Sequence, residues 1–327
     1  MSKMHSQHRP IARLIAVAVL LFSAACASAE SPFDEGVRTQ MLKRRDGPLA
    51  HVETQYNDLF VVKRGPMMSL STRYKSNYNI HSMVNLAEPD DMPAPYTQLL
   101  TAGLLYPEMT KRILMIGLGA GSVSTYLLRA MPDVNIDVVE LDPGVVSVAT
   151  QYFGLRATDR LRIIESDGRV YLARHGGLYD FVVLDAFREL GVPFHLLTKE
   201  FYALVKEHLA PGGAVATNVA GGTRLFSSTL VTLRAVFASV DVFPDYEDAE
   251  GAQVVMVASP LAEPSAALLT ERARVLQEQY QFRYPLPRLV KRRVVNHSAE
   301  RGELLTDDFA PVNLFEVAPL RRSKRPQ

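Results

Sequence analysis

RILMIGLGAGSVSTYLLRAMPDVNIDVVELD, residues Arg112 to Asp142, reads as a buried strand, a glycine turn, a helix and a second strand. The apolar run Ile113 to Ile116 is too short for a helix and too continuous for a half-exposed strand, so it predicts the interior of a parallel sheet. The glycine turn then feeds the helical pattern VSTYLLRAM, and IDVVELD returns as a strand. The unit repeats downstream. GVVSVATQYF is a helix, LRIIESDGR a strand, VYLARH a helix, YDFVVLDAF a strand, KEFYALVKEHL a helix and GAVATNVAG a strand. Strands alternating with helices at this spacing predict an α/β, doubly wound, Rossmann-like sheet with right-handed crossovers. TLVTLRAVFASV reads as a further helix, and VDVFP with AQVVMVAS as a strand pair that closes the sheet.

The same stretch carries the chemistry. Gly117, Gly119 and Gly121 let the chain leave the strand sharply and approach a ligand, with the N–H groups of the next helix facing it. Ser122 stands where a dinucleotide fingerprint wants its third glycine, so G-x-G-x-x-G is not met. Glu140 closes the second strand, where a carboxylate can accept from both ribose hydroxyls. Asp167 closes the third in Ser166-Asp167-Gly168, where an acid can take an adenine amino group. A glycine turn followed by both acids points to a nucleoside site of the S-adenosylmethionine type. Asp185 ends the fourth strand, and ligands of open α/β sheets bind beyond the carboxyl ends of the strands. A carboxylate there can orient a cationic amine and accept its proton; the structural alternative is a helix cap. His195 reads either as a cleft residue or as a packing histidine. The acidic run from Asp245 to Glu250 suits a polyamine or a solvated loop, and Thr306 to Pro311 either returns acids to the cleft or caps a turn. No His, Cys, Asp or Glu set has metal-ligand spacing, and no G-x-S-x-G elbow is present. No metal is therefore expected.

Upstream, His51 to Leu86 alternates apolar and polar residues between the turns Arg64-Gly65-Pro66 and Ser76-Asn77, which predicts a small antiparallel sheet. Pro89 to Pro95 is a linker, and YTQLLTAGLLY from Tyr96 has helical spacing. At the amino terminus, Lys3, Arg9 and Arg13 precede the apolar run Leu14 to Phe22, and Ala27-Ser28-Ala29 follows. This pattern predicts a secretory signal cleaved before Glu30 and a periplasmic protein. Cys26 leaves lipid attachment as the alternative, against which Ser23 counts, since such sites usually carry Leu three places before the cysteine. Cleavage removes the sole cysteine and takes the formal charge from +1 to −2. That charge gives no electrostatic case for nucleic acid, and no membrane span is expected in the mature chain. The expected organisation is a signal over 1–29, an amino-terminal β domain with linker helix over 30–108, the nucleoside-binding catalytic domain over 109–260 and an extension over 261–327.

In order, SMVNL, PYTQLL, ILMIGLGAGS, VVELDP, ESDGRVYL, YDFVVLDAF, PFHLLTKEFY, LAPGGAVATNV and LTDDFAPVN make the chain resemble the spermidine synthase (polyamine aminopropyltransferase) family, in its divergent bacterial branch. The resemblance implies an amino-terminal β domain before the core and a homodimer. It also implies aminopropyl transfer from decarboxylated S-adenosylmethionine to a small amine such as putrescine. By the same resemblance, Glu140 holds ribose, Asp167 and Gly168 hold adenine, and Asp185 takes the proton. Asn57 stands where the family has Gln beside the donor, while Tyr96, Gln98 and Tyr246 line the amine side. The departures are concentrated in the amine half. Ala120 replaces the Asp of the family's glycine turn, whose carboxylate would repel that of intact S-adenosylmethionine, so the donor choice relaxes. Asp185-Ala186-Phe187-Arg188-Glu189 replaces D-S-x-D-P, putting a cation where the second acid belongs. Two alternatives follow: a methyltransferase using intact S-adenosylmethionine, and an exported, non-catalytic protein that binds a nucleoside or polyamine.

Overall fold

The computed structural model describes residues 31–72, 80–186, 192–245 and 253–309. The leader, Arg188, Glu189 and Tyr246 lie outside them. In chain order, α1 (Glu35–Leu42) precedes β1 (Gly47–Glu53), β2 (Asp58–Arg64), β3 (Met67–Ser71) and β4 (Ile80–Asn85). These four strands form an antiparallel sheet in sequential order, as the alternation predicts. Leu59 and Val61 of β2 and Met68 and Leu70 of β3 are buried, two residues apart on each strand. A short helix, α2 (Pro95–Leu100), runs into a 3-10 turn over Thr101–Leu105.

The core follows as β5 (Arg112–Ile116), α3 (Ser122–Ala130), β6 (Asn135–Glu140), α4 (Pro143–Phe153), β7 (Leu161–Glu165), α5 (Gly168–Arg174) and β8 (Tyr179–Leu184). A 3-10 turn over Phe194–Leu196 precedes α6 (Lys199–Glu207), β9 (Leu209–Ala220), α7 (Arg224–Val236), β10 (Ser239–Pro244) and β11 (Gln253–Ser259). The seven strands lie in the order β10-β11-β9-β8-β5-β6-β7. β5 to β9 are parallel, and β11 and β10 join antiparallel at the edge. Alternate residues of β5 divide the core: Ile113 and Met115 pack on one side, Leu114 and Ile116 on the other. The first side also takes in Leu59, Val61, Met68 and Leu70, so the amino-terminal sheet and the parallel sheet share one apolar core.

The tail adds α8 (Ala266–Tyr280), capped by Ser265, and α9 (Leu286–Val290). Beyond them the chain runs back along the core. Leu305 N–H donates to Thr232, and Lys199 N–H donates to the Leu305 carbonyl. Among the described residues, no helix is long and apolar enough to cross a membrane.

Candidate active site

Glu140, Asp167 and Asp185 each sit at the carboxyl end of a parallel strand, and the register explains which of them meet. β5 lies between β6 and β8, so the glycine turn after Ile116 opens between Glu140, at the end of β6, and Asp185, just past β8. Gly117 has φ 103°, and a Cβ there would stand 2.3 Å from the Asp185 carbonyl oxygen. The turn therefore needs glycine for close contact between two strand ends, not only for a bend. Gly121, at φ 76°, starts α3 and packs on Leu155. One cavity is lined by Gly117, Leu118, Gly119, Ser122, Glu140, Asp142, Asp167, Gly168, Asp185 and His195, closed over by Tyr56, Asn57 and Tyr96.

Glu140 accepts from Leu118 N–H and Asp142 N–H, one on each oxygen, both at 2.9 Å. The Leu141 N–H also bears on this carboxylate. Burial pushes this carboxyl above its ordinary value, and the N–H groups hold it back. Asp142 is buried and is the organiser of this side. Its Oδ1 caps α4 at Gly144 N, and its Oδ2 accepts from Thr54 Oγ1 at 2.7 Å and Asn57 Nδ2 at 2.8 Å. Asn57 thus reaches the cavity while tying the β1–β2 turn to the parallel sheet. Asp142→Ala should lower unfolding free energy by about 2–4 kcal/mol, since it removes a cap and strands two donors. A urea midpoint within error of wild type would contradict this.

Asp167 caps α5: Oδ1 accepts from Arg169 N–H at 2.9 Å and Val170 N–H at 3.0 Å. Its Oδ2 lies 2.7 Å from His195 Nε2. Burial opposes ionisation, but the Val170 N–H, His195 and the Arg169 N–H outweigh it and hold the carboxyl below its ordinary value. Gly168 is glycine for a packing reason, because a Cβ would stand 2.4 Å from Ile116 Cγ2. His195 is both a wall of the cavity and the partner of Asp167. Behind it, Arg169 pairs with Asp307, so this acid of the returning tail braces α5 and is not among the residues lining the cavity.

Asp185 occupies the centre. It accepts from Asn218 Nδ2 at 3.0 Å and from the Tyr96 hydroxyl. Burial pushes its carboxyl up to about 6, against the pull of those two bonds. The Tyr96 phenol is driven well above its ordinary value by burial and by Asp185, so it remains a donor. Tyr96 reaches the cavity from α2, Asp185 from the end of β8, and Gly117, Glu140 and Asp167 from the ends of β5, β6 and β7.

This arrangement has relatives. A polyamine aminopropyltransferase from Vibrio vulnificus is 30% identical over 305 residues, which cover 91% of this chain and 98% of that protein. The chain belongs to the polyamine aminopropyltransferase family. Residues 95–244 match the spermine/spermidine synthase domain model. A probable spermidine synthase from Corynebacterium glutamicum shares the fold, with TM-score 0.59 and 19% identity over 73% of this chain and 94% of that one. An eEF1A lysine and N-terminal methyltransferase from Homo sapiens is 34% identical over 143 residues, 40% of this chain and 20% of that protein.

For an aminopropyltransferase the site departs from expectation in three places. Gln98 is not among the lining residues, and its amide donates to the Met92 carbonyl at 2.9 Å, bracing the loop before α2. Ala120 is buried and does not line the cavity either; the turn presents Ser122, whose hydroxyl stands 3.5 Å from that of Ser82. Thr72, Ser82 and Ser122 contribute neutral hydroxyls to the cavity lining. The third departure is Asn218, which the sequence reading passed over inside an apolar strand. Leu184 pairs with Thr217, so the next residues, Asp185 and Asn218, become neighbours. A buried amide in an otherwise apolar strand was the available signal.

Proposed function

We propose that the chain transfers an aminopropyl group from decarboxylated S-adenosylmethionine to a small amine, with Asp185 as proton acceptor. The observation that carries this reading is a carboxylate raised to about 6, held by Tyr96 and Asn218, in the same cavity as the glycine turn and Glu140. Sulfonium transfer asks little of a protein. The amine nitrogen forms a bond to the propyl carbon attached to sulfur as that carbon–sulfur bond breaks, and the sulfur leaves as the neutral thioether methylthioadenosine. The proton shed by the nitrogen passes to Asp185. What the chain supplies is alignment of the two substrates and a base whose ordinary state above pH 6 is ionised. Glu140 and Asp167 both line the cavity, and as acceptor-only carboxylates they suit ribose hydroxyls and an adenine amino group.

The neutral hydroxyls of Thr72, Ser82 and Ser122 support a second reading. With Ala120 in place of the glycine-turn Asp, that source of repulsion toward the carboxylate of intact S-adenosylmethionine is gone, and methyl transfer becomes chemically admissible. Isothermal calorimetry separates occupancy from chemistry. The proposal expects saturable, one-site binding of decarboxylated S-adenosylmethionine and of methylthioadenosine. No heat from either of these or from intact S-adenosylmethionine would overturn the nucleoside site itself. Export, read from residues 1–29, and a dimer, implied by the family, belong to the proposal as well.

A further inference from the structure

The β1–β2 hairpin gathers three side chains that the transfer reaction does not use. His51 and Glu53 are two apart on β1 and so share a face, and Glu53 is the register partner of Asp58 on β2. Their ligand atoms all lie within 4.8 Å of one another, the only such group of His, Cys, Asp or Glu among the described residues. Spacing in the sequence hides the set, because strand pairing and not a local motif assembles it.

Two further features distinguish it from a chance exposed cluster. Like charges placed directly opposite on antiparallel strands are destabilising, and Glu53 facing Asp58 is such a pair. His51 relieves only part of this, through its Nε2 contact with Asp58 Oδ1. The imidazole is also held in place: it stacks on its own register partner Phe60, with centroids 4.3 Å apart and planes within 9°. An oriented imidazole beside two carboxylates is a donor set for a first-row divalent cation.

We infer that His51, Glu53 and Asp58 form a divalent transition-metal site, of which zinc is the probe, that clamps the stem of the β1–β2 hairpin. Zinc takes N and O ligands at about 2.0–2.2 Å, so two ligand atoms on one ion lie at most about 4.4 Å apart, and the present separations, within 4.8 Å, are close to that limit. The ion replaces the direct His51–Asp58 contact, bridges both strands and cancels the charge of both carboxylates. Between those strands lies the turn carrying Thr54, Tyr56 and Asn57, so the clamp secures the base of a cavity wall.

Titration of the full chain with zinc chloride in a non-coordinating buffer, read by calorimetry and by thermal midpoint, tests this. The expected result is one saturable site and a raised midpoint. His51→Ala, Glu53→Gln and Asp58→Asn should each weaken binding at least tenfold and abolish the midpoint rise, while Glu278→Gln on α8 leaves both unchanged. Absence of saturable binding overturns the inference. So does zinc binding that persists undiminished in folded His51→Ala and Asp58→Asn, since the ion then sits elsewhere.

Discussion

Asp185→Asn is expected to lower kcat by about 10²–10⁴-fold, the range a positioned general base supplies, while leaving methylthioadenosine affinity within twofold. The substitution is nearly isosteric and removes a buried charge, so the fold should survive it. Asn218 and Tyr96 both donate to this carboxylate, and neither can replace it as a base. The pH profile makes the assignment sharper. Burial raises Asp185 to about 6, so it is ionised and able to accept a proton above that value and is lost as a base below it. The profile of kcat/KM should therefore fall on the acid side with an inflection near 6, not near the value of about 4 of an ordinary aspartate. In Asp185→Asn that inflection should vanish. Turnover that survives the substitution, with the acid limb intact, would remove Asp185 from the reaction.

Gly117→Ala is expected to be the most damaging small substitution in the site. The backbone there has φ 103°, which L residues rarely adopt, and the new methyl would lie 2.3 Å from the Asp185 carbonyl oxygen and 2.7 Å from its carbon. Both obstacles are backbone, so no side chain can rotate aside. Strain of this kind with a backbone collision should cost more than about 3 kcal/mol. Any molecule that does fold must move the strand end that aims Asp185. The urea midpoint should fall, and residual turnover should fall further than the folded fraction accounts for. A wild-type midpoint would mean that the turn is looser than its geometry indicates.

These two positions also show what the sequence can and cannot reveal. The order of strands and helices from Arg112 to Ala220 was legible because each buried strand is a short apolar run and each helix carries a period near 3.6. Gly117 was legible as a turn glycine, but not as a spacer against Asp185, because that contact depends on β5 pairing with β8. Asp185 was legible from its place after FVVL; Asn218 was not, although the same register makes them neighbours. Asp142 precedes Pro143 and caps the helix that starts there. Its bonds to Thr54 and Asn57 span 88 and 85 residues and follow only from the two sheets packing together. His51, Glu53 and Asp58 fail to look like a metal set for the same reason. Local pattern carried the elements, and strand pairing carried the site.

The reaction itself is decided by its nucleoside product. Incubating the chain with decarboxylated S-adenosylmethionine and a panel of small amines, then analysing products by mass spectrometry, should yield methylthioadenosine in equal amount to an amine heavier by one aminopropyl group. Parallel incubation with intact S-adenosylmethionine should yield no S-adenosylhomocysteine. S-adenosylhomocysteine with a methylated acceptor, and no methylthioadenosine from either donor, would contradict aminopropyl transfer and leave methyl transfer in its place.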